Sequence, residues 1–280
     1  HRAFRLDVAA GTAVRGAALC VHGYTGTPYE VRPLADALAA RGFVVDAPLL
    51  TGHGSDPAVC NRTPWSRWLD DIVAAYDAQS TRLAGRGAGR SNGAAGGLRV
   101  VVGSSMGGLL ALHLSLVRSV DALVLLAPAL RFFPPVDLAV ATLAAGLWRA
   151  RPFLPKESPG GDVGDADAQR NNPTYKVLPA RGVVELRRLQ AATATLLGQV
   201  RAPVCLLHGD RDATIDPRSS TAIAAAVASP LVEHHRLART RHLVGLDVER
   251  DRVAQLALRF VDDVAGRVAA PASATRPEAA

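Results

Sequence analysis

Short apolar runs rich in β-branched residues, each closed by glycine, proline or aspartate, alternate along the chain with longer stretches of helical period. The period-2 and continuous apolar runs predict strands at 17–23, 43–48, 98–103, 122–128, 203–209 and 231–237. Apolar positions three and four apart predict helices over 31–42, 65–84, 106–118, 217–228 and 249–268. Strands alternating with helices in this way imply a mostly parallel sheet covered on both faces, with any ligand beyond the carboxyl ends of the strands.

One interval breaks the alternation. Between 129 and 199 no strand is expected, only two helix-like pieces around the polar text "KESPGGDVGDADAQRNNPTY". The expected organisation is a core made of 1–128 and 200–268, with 129–199 inserted as a small cap over the sheet's carboxyl edge. The stretch "AGRGAGRSNGAAGG" (84–97) reads as a flexible surface loop, and 269–280 as a disordered tail.

At 280 residues the chain is long enough for one large domain with an insertion. Hydrophobic residues make up 49%, yet no apolar run reaches the roughly 18–20 residues that span a bilayer, so no stable membrane insertion is expected. The net charge of +7 raises the question of nucleic acid. Lysine occurs only at Lys156 and Lys176, arginines are scattered among acids, and aromatics are 5%, so no basic stripe with stacking residues forms and no nucleic-acid partner is expected. Cys20, Cys60 and Cys205 are too dispersed for a disulfide framework or a metal knuckle, and two of them sit inside strand-like runs. A reducing, cytoplasmic setting is the expectation. The chain starts at His1, which leaves room for a leader removed upstream.

Residues 103–107 read Gly-Ser-Ser-Met-Gly, the pattern G-x-S-x-G, after an apolar strand and before an amphipathic helix. A sharp strand-to-helix turn lifts its central side chain above the sheet, and flanking glycines avoid the neighbouring strand and helix. Ser105 is thus the candidate nucleophile, and a serine hydroxyl needs a base and a group that orients the base. On this type of sheet the expected order is nucleophile, acid, histidine. Asp210, Asp212 and Asp216 compete for the acid. Asp212 is preferred, because Asp210 lies closer to the turn and Asp216 reads as a helix cap. His242, between the last strand and the terminal helix, is the candidate base, whereas His113, His208, His234 and His235 read as structural. The oxyanion donors expected are the backbone N–H groups of Met106, after the nucleophile, and Tyr24, in the loop "HGYTGTP".

Together the pieces "HGYTGTPYEVRPLADALAARGFVVDAPLLTGHG", "GSSMGG", "LLHGDRDATIDP" and "RHLVGLDVERD" resemble the α/β-hydrolases of the bacterial carboxylesterase and monoacylglycerol lipase group. The resemblance spans roughly residues 17 to 265. It implies the α/β-hydrolase fold, with the oxyanion loop, nucleophile, acid and histidine on Tyr24, Ser105, Asp212 and His242, and it makes "TGHG" around His53 a structural turn. Two departures stand out: Thr240 and Arg241 replace a small residue and a glycine before the histidine, and Ser104 replaces a larger apolar residue before the nucleophile.

The resulting expectation is a serine carboxylic-ester hydrolase working through an acyl-enzyme, with no metal or organic cofactor and a small-molecule or lipid-like ester as partner. A thioesterase or acyltransferase would keep the same triad, and so would a ligand-binding protein of low turnover. Epoxide hydrolase and dehalogenase chemistry is disfavoured by serine at the elbow, and a peptidase by the apolar insertion. That insertion's apolar residues either all pack on the body or also line an acyl tunnel through Phe132, Phe133, Leu138, Leu143 and Leu147. Asp162, Asp165 and Asp167 lack the spacing of a calcium loop and are expected to be solvated.

Overall fold

The computed structural model describes residues 2–84, 97–156, 158 and 160–269. Most of the loop expected at 84–97, and all of the tail expected at 269–280 except Ala269, lie outside them. Residues alternate in facing along the valine- and leucine-rich runs, so each strand feeds two cores. These strands are β2 (Gly16–Val21), β3 (Phe43–Ala47), β4 (Leu98–Ser104), β5 (Ala122–Leu126), β8 (Val204–Gly209) and β9 (Val232–Leu237). A short β1 (Phe4–Leu6) precedes them and pairs antiparallel with β3. Among the described residues the main sheet runs β1-β3-β2-β4-β5-β8-β9, parallel except for β1. β1 was not expected from the sequence; at three residues it is too short to show a period.

Ala18, Cys20, Val45, Val100, Val102, Val124 and Leu126 face one side, where they meet α1 (Arg32–Ala40) and α9 (Arg250–Ala269) through Leu34, Leu38, Phe260 and Val261. Leu19, Val21, Val101, Leu123 and Leu125 face the other side. There they meet Trp68 and Ile72 of α3 (Trp65–Ala84), Leu109 and Leu112 of α4 (Met106–Val117), and Ile223 of α8 (Arg218–Ala226). A short α2 (Pro57–Arg62), capped by the Asp56 carboxylate, leads into α3.

The strand order reverses between β2 and β4, so the loops leaving these two strands diverge and open a crevice at their carboxyl ends. That crevice separates the Tyr24 loop from the Ser105 turn.

The stretch between β5 and β8 does contain strands, contrary to the sequence expectation. It holds α5 (Pro134–Ala144), β6 (Phe153–Pro155), α6 (Ala166–Asn171), β7 (Val177–Pro179) and α7 (Ala180–Leu196), with β6 and β7 paired antiparallel. Three-residue strands rich in proline carry no alternation to read. Nor is the insertion a separate layer throughout: Leu186 and Leu189 of α7 are buried in the core beside α4. Among the described residues no helix is long and apolar enough to cross a membrane.

Candidate active site

Between β4 and α4 the chain turns at Ser105, whose φ of 53° and ψ of −114° are strained for a residue with a Cβ. The turn is tight because its glycines admit close approach. A Cβ on Gly103 would lie 2.4 Å from the Gly107 carbonyl oxygen, and one on Gly107 2.4 Å from that of Val21. The Ser105 N–H donates to Leu126 O at 2.8 Å, which fixes the turn to β5 and leaves the side chain above the sheet.

Ser105 Oγ lies 3.0 Å from His242 Nε2, and His242 Nδ1 lies 2.8 Å from Asp212 Oδ2. A carboxylate only accepts, so Nδ1 carries the proton and Nε2 is left to accept the serine O–H. His242 comes from the loop after β9 and Asp212 from the loop after β8, as the sequence order requires. The other two aspartates go elsewhere: Asp210 pairs with Arg236 at the surface, and Asp216 accepts the Arg218 N–H at the start of α8.

Asp212 is saturated. Its Oδ1 accepts the N–H groups of Thr214 and Ile215, each at 2.8 Å, and its Oδ2 also takes His208 Nε2 at 3.0 Å. His208 is buried and its Nδ1 meets the Ser220 hydroxyl at 2.6 Å. Sequence reasoning set His208 aside as structural, but it is a second partner of the acid. The signal was available: it stands four residues before Asp212, near the end of the strand that leads into the Asp212 loop. Burial alone would raise the Asp212 pKa, but the two histidines overcome it and hold this carboxyl well below the usual range. Burial lowers the pKa of His242, and Asp212, Asp162 and Glu30 outweigh it, so the net shift is upward. If His242 must be neutral to accept the serine proton, activity is lost as pH falls through this raised pKa. The acid limb of kcat/KM is therefore expected to have its midpoint above the ordinary histidine value of about 6.5. A pH profile with a soluble ester checks this, and a midpoint below that value would refute it.

The loop after β2 approaches Ser105 from the other side of the crevice. A buried carboxylate that sequence reasoning missed, Glu30, accepts the Gly23 N–H at 3.0 Å. A Cβ on Gly26 would lie 1.9 Å from Glu30 Oε1, so glycine there makes room for the carboxylate. Thr25 has φ 64°, and its carbonyl accepts the Thr174 hydroxyl at 2.9 Å. Lys156 Nζ donates to the Thr25 and Thr174 hydroxyls at 3.0 and 2.8 Å. Burial raises the Glu30 pKa and lowers that of Lys156, and each charge offsets the shift of the other. Below the loop, His22 accepts the Leu50 N–H and meets the Gly23 carbonyl at 2.8 Å; burial pushes its pKa down to about 4 and keeps it neutral. His53 packs edge-on against His22, Tyr24 and Trp68 and does not line the cavity that reaches Ser105 and His242. The Tyr24 phenol donates to Pro179 O at 2.6 Å, which ties its side chain to the end of β7. Met106 begins α4, and its N–H has no intrahelical acceptor.

A cavity of about 280 Å³ opens onto Ser105 and His242. Phe132, Val136, Val140, Leu143, Leu154 and Leu186 form much of its apolar wall, while Lys156, Asp162, Asn172 and Thr174 make it polar elsewhere. Of the five residues expected to line it, Phe132 and Leu143 do so; Phe133, Leu138 and Leu147 are corrected. On α5 the cavity face is Val136, Ala139, Val140 and Leu143, spaced by three and four. Leu138 falls on the opposite face and is 71% exposed, Leu147 lies beyond the helix end, and Phe133 precedes it. The acids expected to be solvated also differ: Asp165 caps α6 and pairs with Arg250, and Asp162 is nearly buried. Only Asp167, paired with Arg170, is exposed as expected. Arg241 turns toward Asp162.

Away from this site, Cys205, Glu233 and His235 bring ligand atoms within 4.8 Å of one another. Glu233 and His235 already satisfy each other at 2.7 Å, with Arg259 at 4.0 Å from the same carboxylate.

The nucleophile turn, the histidine and acid loops and the sheet order together fit one family, and its profile, described as serine aminopeptidase, S33, matches residues 12–249. The chain belongs to this family of α/β hydrolases. Within it the chain is monoacylglycerol lipase- and carboxylesterase-like. It is 29% identical to a thermostable monoacylglycerol lipase of Bacillus sp. (strain H-257) over 252 residues, covering 89% of this chain and 91% of that protein. A carboxylesterase of Bacillus subtilis (strain 168) is 23% identical over 88% of this chain and 92% of its own. Among solved structures, one from a study of the metagenome-derived lipolytic enzymes LipS and LipT superposes with a TM-score of 0.79 at 25% identity, covering 94% of this chain and 97% of that one. A soluble variant of the monoglyceride lipase from Saccharomyces cerevisiae shares the fold, with a TM-score of 0.77 at 17% identity over 96% of this chain and 92% of that one.

Proposed function

We propose that this S33-family protein hydrolyses carboxylic esters of the monoacylglycerol or small lipid-like kind, through a Ser105–His242–Asp212 triad. The observation that carries the reading is the unbroken hydrogen-bond chain from Ser105 Oγ to Asp212, opening into a cavity with an apolar wall. Ser105 attacks the ester carbonyl while its proton moves to His242 Nε2, and Asp212 holds the tautomer and stabilises the imidazolium. The N–H groups of Tyr24 and Met106 take the oxyanion, each worth about 2.7–4 kcal/mol in the transition state. His242 then returns the proton to the leaving alcohol, which departs and leaves the acyl group on Ser105. Water, deprotonated by the same histidine, cleaves the acyl-enzyme and regenerates the serine. Residues 129–199 act as a cap that supplies the acyl wall through Val140 and Leu143. The three cysteines, all free and buried, support a reducing compartment such as the cytoplasm.

The test is hydrolysis of p-nitrophenyl esters from acetate to palmitate and of monoacylglycerols, beside aminoacyl p-nitroanilides. Ester turnover with a chain-length optimum is expected, and Leu143→Trp, which fills the apolar wall, should move that optimum to shorter acyl chains. Turnover of the anilides alone would overturn the ester reading in favour of an aminopeptidase.

A further inference from the structure

A single residue of the insertion, Asp162, touches both loops that carry the base and the acid. Its Oδ2 accepts the Ala213 N–H at 2.8 Å and the Thr214 hydroxyl at 3.2 Å, directly after Asp212. Its Oδ1 accepts from the Arg241 guanidinium at 3.3 Å, and its backbone carbonyl accepts the Leu243 N–H at 3.0 Å, so the residues on either side of His242 are both held. The side chain is only 10% exposed and borders the cavity. A second carboxylate locks the same seam: Asp247 accepts the N–H groups of Gly164 and Asp165 on Oδ1 and that of Arg241 on Oδ2. Gly164 leaves no room for a side chain there, since a Cβ would lie 2.9 Å from Asp247 Oδ1.

We infer that Asp162 is a positioning residue for hydrolysis: it spaces the acid loop from the histidine loop and sets a negative charge near the imidazolium that forms when Ser105 attacks. The inference rests on the triad reading above. It makes the insertion part of the machinery that orients the base, in addition to a wall of the pocket.

The charged and titratable groups around His242 can be taken element by element. Asp212 bonds it from the loop after β8, with His208 behind that carboxylate. Ser105 faces it from the elbow. Glu30 acts on it from the 3₁₀ turn Pro28–Val31, and Lys156 of the insertion bears on Glu30. Asp162 acts from the insertion, and Arg241, next in the chain, is spent on Asp162. Asp212 is therefore bonded directly, whereas Asp162 and Glu30 favour the charged imidazole through space. The proton passes only between Ser105, His242, the leaving alcohol and water.

The experiment is Asp162→Asn in the full chain, assayed on a short soluble ester and on its pH profile. We expect kcat to fall about tenfold with KM within about twofold, because the charge acts on the transition state. The acid limb of kcat/KM should move to lower pH, because a less stabilised imidazolium loses its proton more readily. Asp162→Glu keeps the charge but displaces the carboxylate, so kcat should fall while the limb stays at the wild-type position. An Asp162→Asn enzyme with the wild-type limb, even one less stable to heat, would overturn the inference and leave Asp162 a structural stitch. Should Asp162→Asn fail to fold, an Asp162→Glu enzyme with unchanged kcat would overturn it equally. Fluorophosphonate labelling of the wild type but not of Ser105→Ala keeps the two levels separate. Absence of label on the wild type would count against the triad reading itself.

Discussion

Replacing Ser105 with alanine is expected to lower ester turnover by at least about four orders of magnitude, since the nucleophile, base and acid act as one unit and losing the nucleophile removes the covalent route entirely. What remains is the oxyanion site and substrate binding. The fold should survive, because alanine keeps the Cβ that already sits at φ 53° and removes only the oxygen facing His242. Backbone geometry supplies a companion test. Ser105→Gly relieves a conformation that costs about 1–3 kcal/mol with a side chain, against glycine's entropy cost of about 0.5–1 kcal/mol. The glycine variant should thus be at least as stable as the alanine variant while being equally inactive. Turnover and thermal midpoints of both variants measure this, and near-normal activity in either would remove Ser105 from the mechanism.

The elbow was legible because its requirements are local: two glycines, a strand before and a helix after, all within about twenty residues. The same holds for the central strands, whose runs stay buried on both faces. Asp212 and His242 were legible for a different reason, since chain order on this sheet places one loop after β8 and one after β9 at the edge near Ser105. What the sequence hid is what depends on distant partners. Glu30, Lys156 and Asp162 look like ordinary surface residues until the fold buries them against the Tyr24 and His242 loops. Leu138 and Leu147 show the converse error: hydrophobic character placed them in the pocket, but the orientation of α5 turns Leu138 away from the cavity and the helix ends before Leu147. The β6–β7 pair escaped because three-residue strands have no period, and their pairing joins positions more than twenty residues apart.

Asp212→Asn is expected to lower kcat by about four orders of magnitude, and the hydrogen bonds explain why an uncharged isostere is so harmful. Oδ1 of Asp212 accepts two backbone N–H groups, from Thr214 and Ile215. An asparagine must keep its carbonyl oxygen there, since turning its NH2 toward those donors would set donor against donor. Its NH2 then faces His242 Nδ1, which has to become the acceptor. The proton moves to Nε2, and the nitrogen beside Ser105 Oγ can no longer take the serine proton. The same NH2 confronts His208 Nε2, so that ring must also exchange its proton or turn away from Ser220. Asp210, two residues earlier, has only a surface pairing with Arg236, with both side chains around 40% exposed. Asp210→Asn is expected to leave kcat within about twofold and to change stability by no more than about 1 kcal/mol. Measuring kcat for the two variants side by side decides the assignment: a severe loss at Asp210 with a mild one at Asp212 would move the acid to the other aspartate.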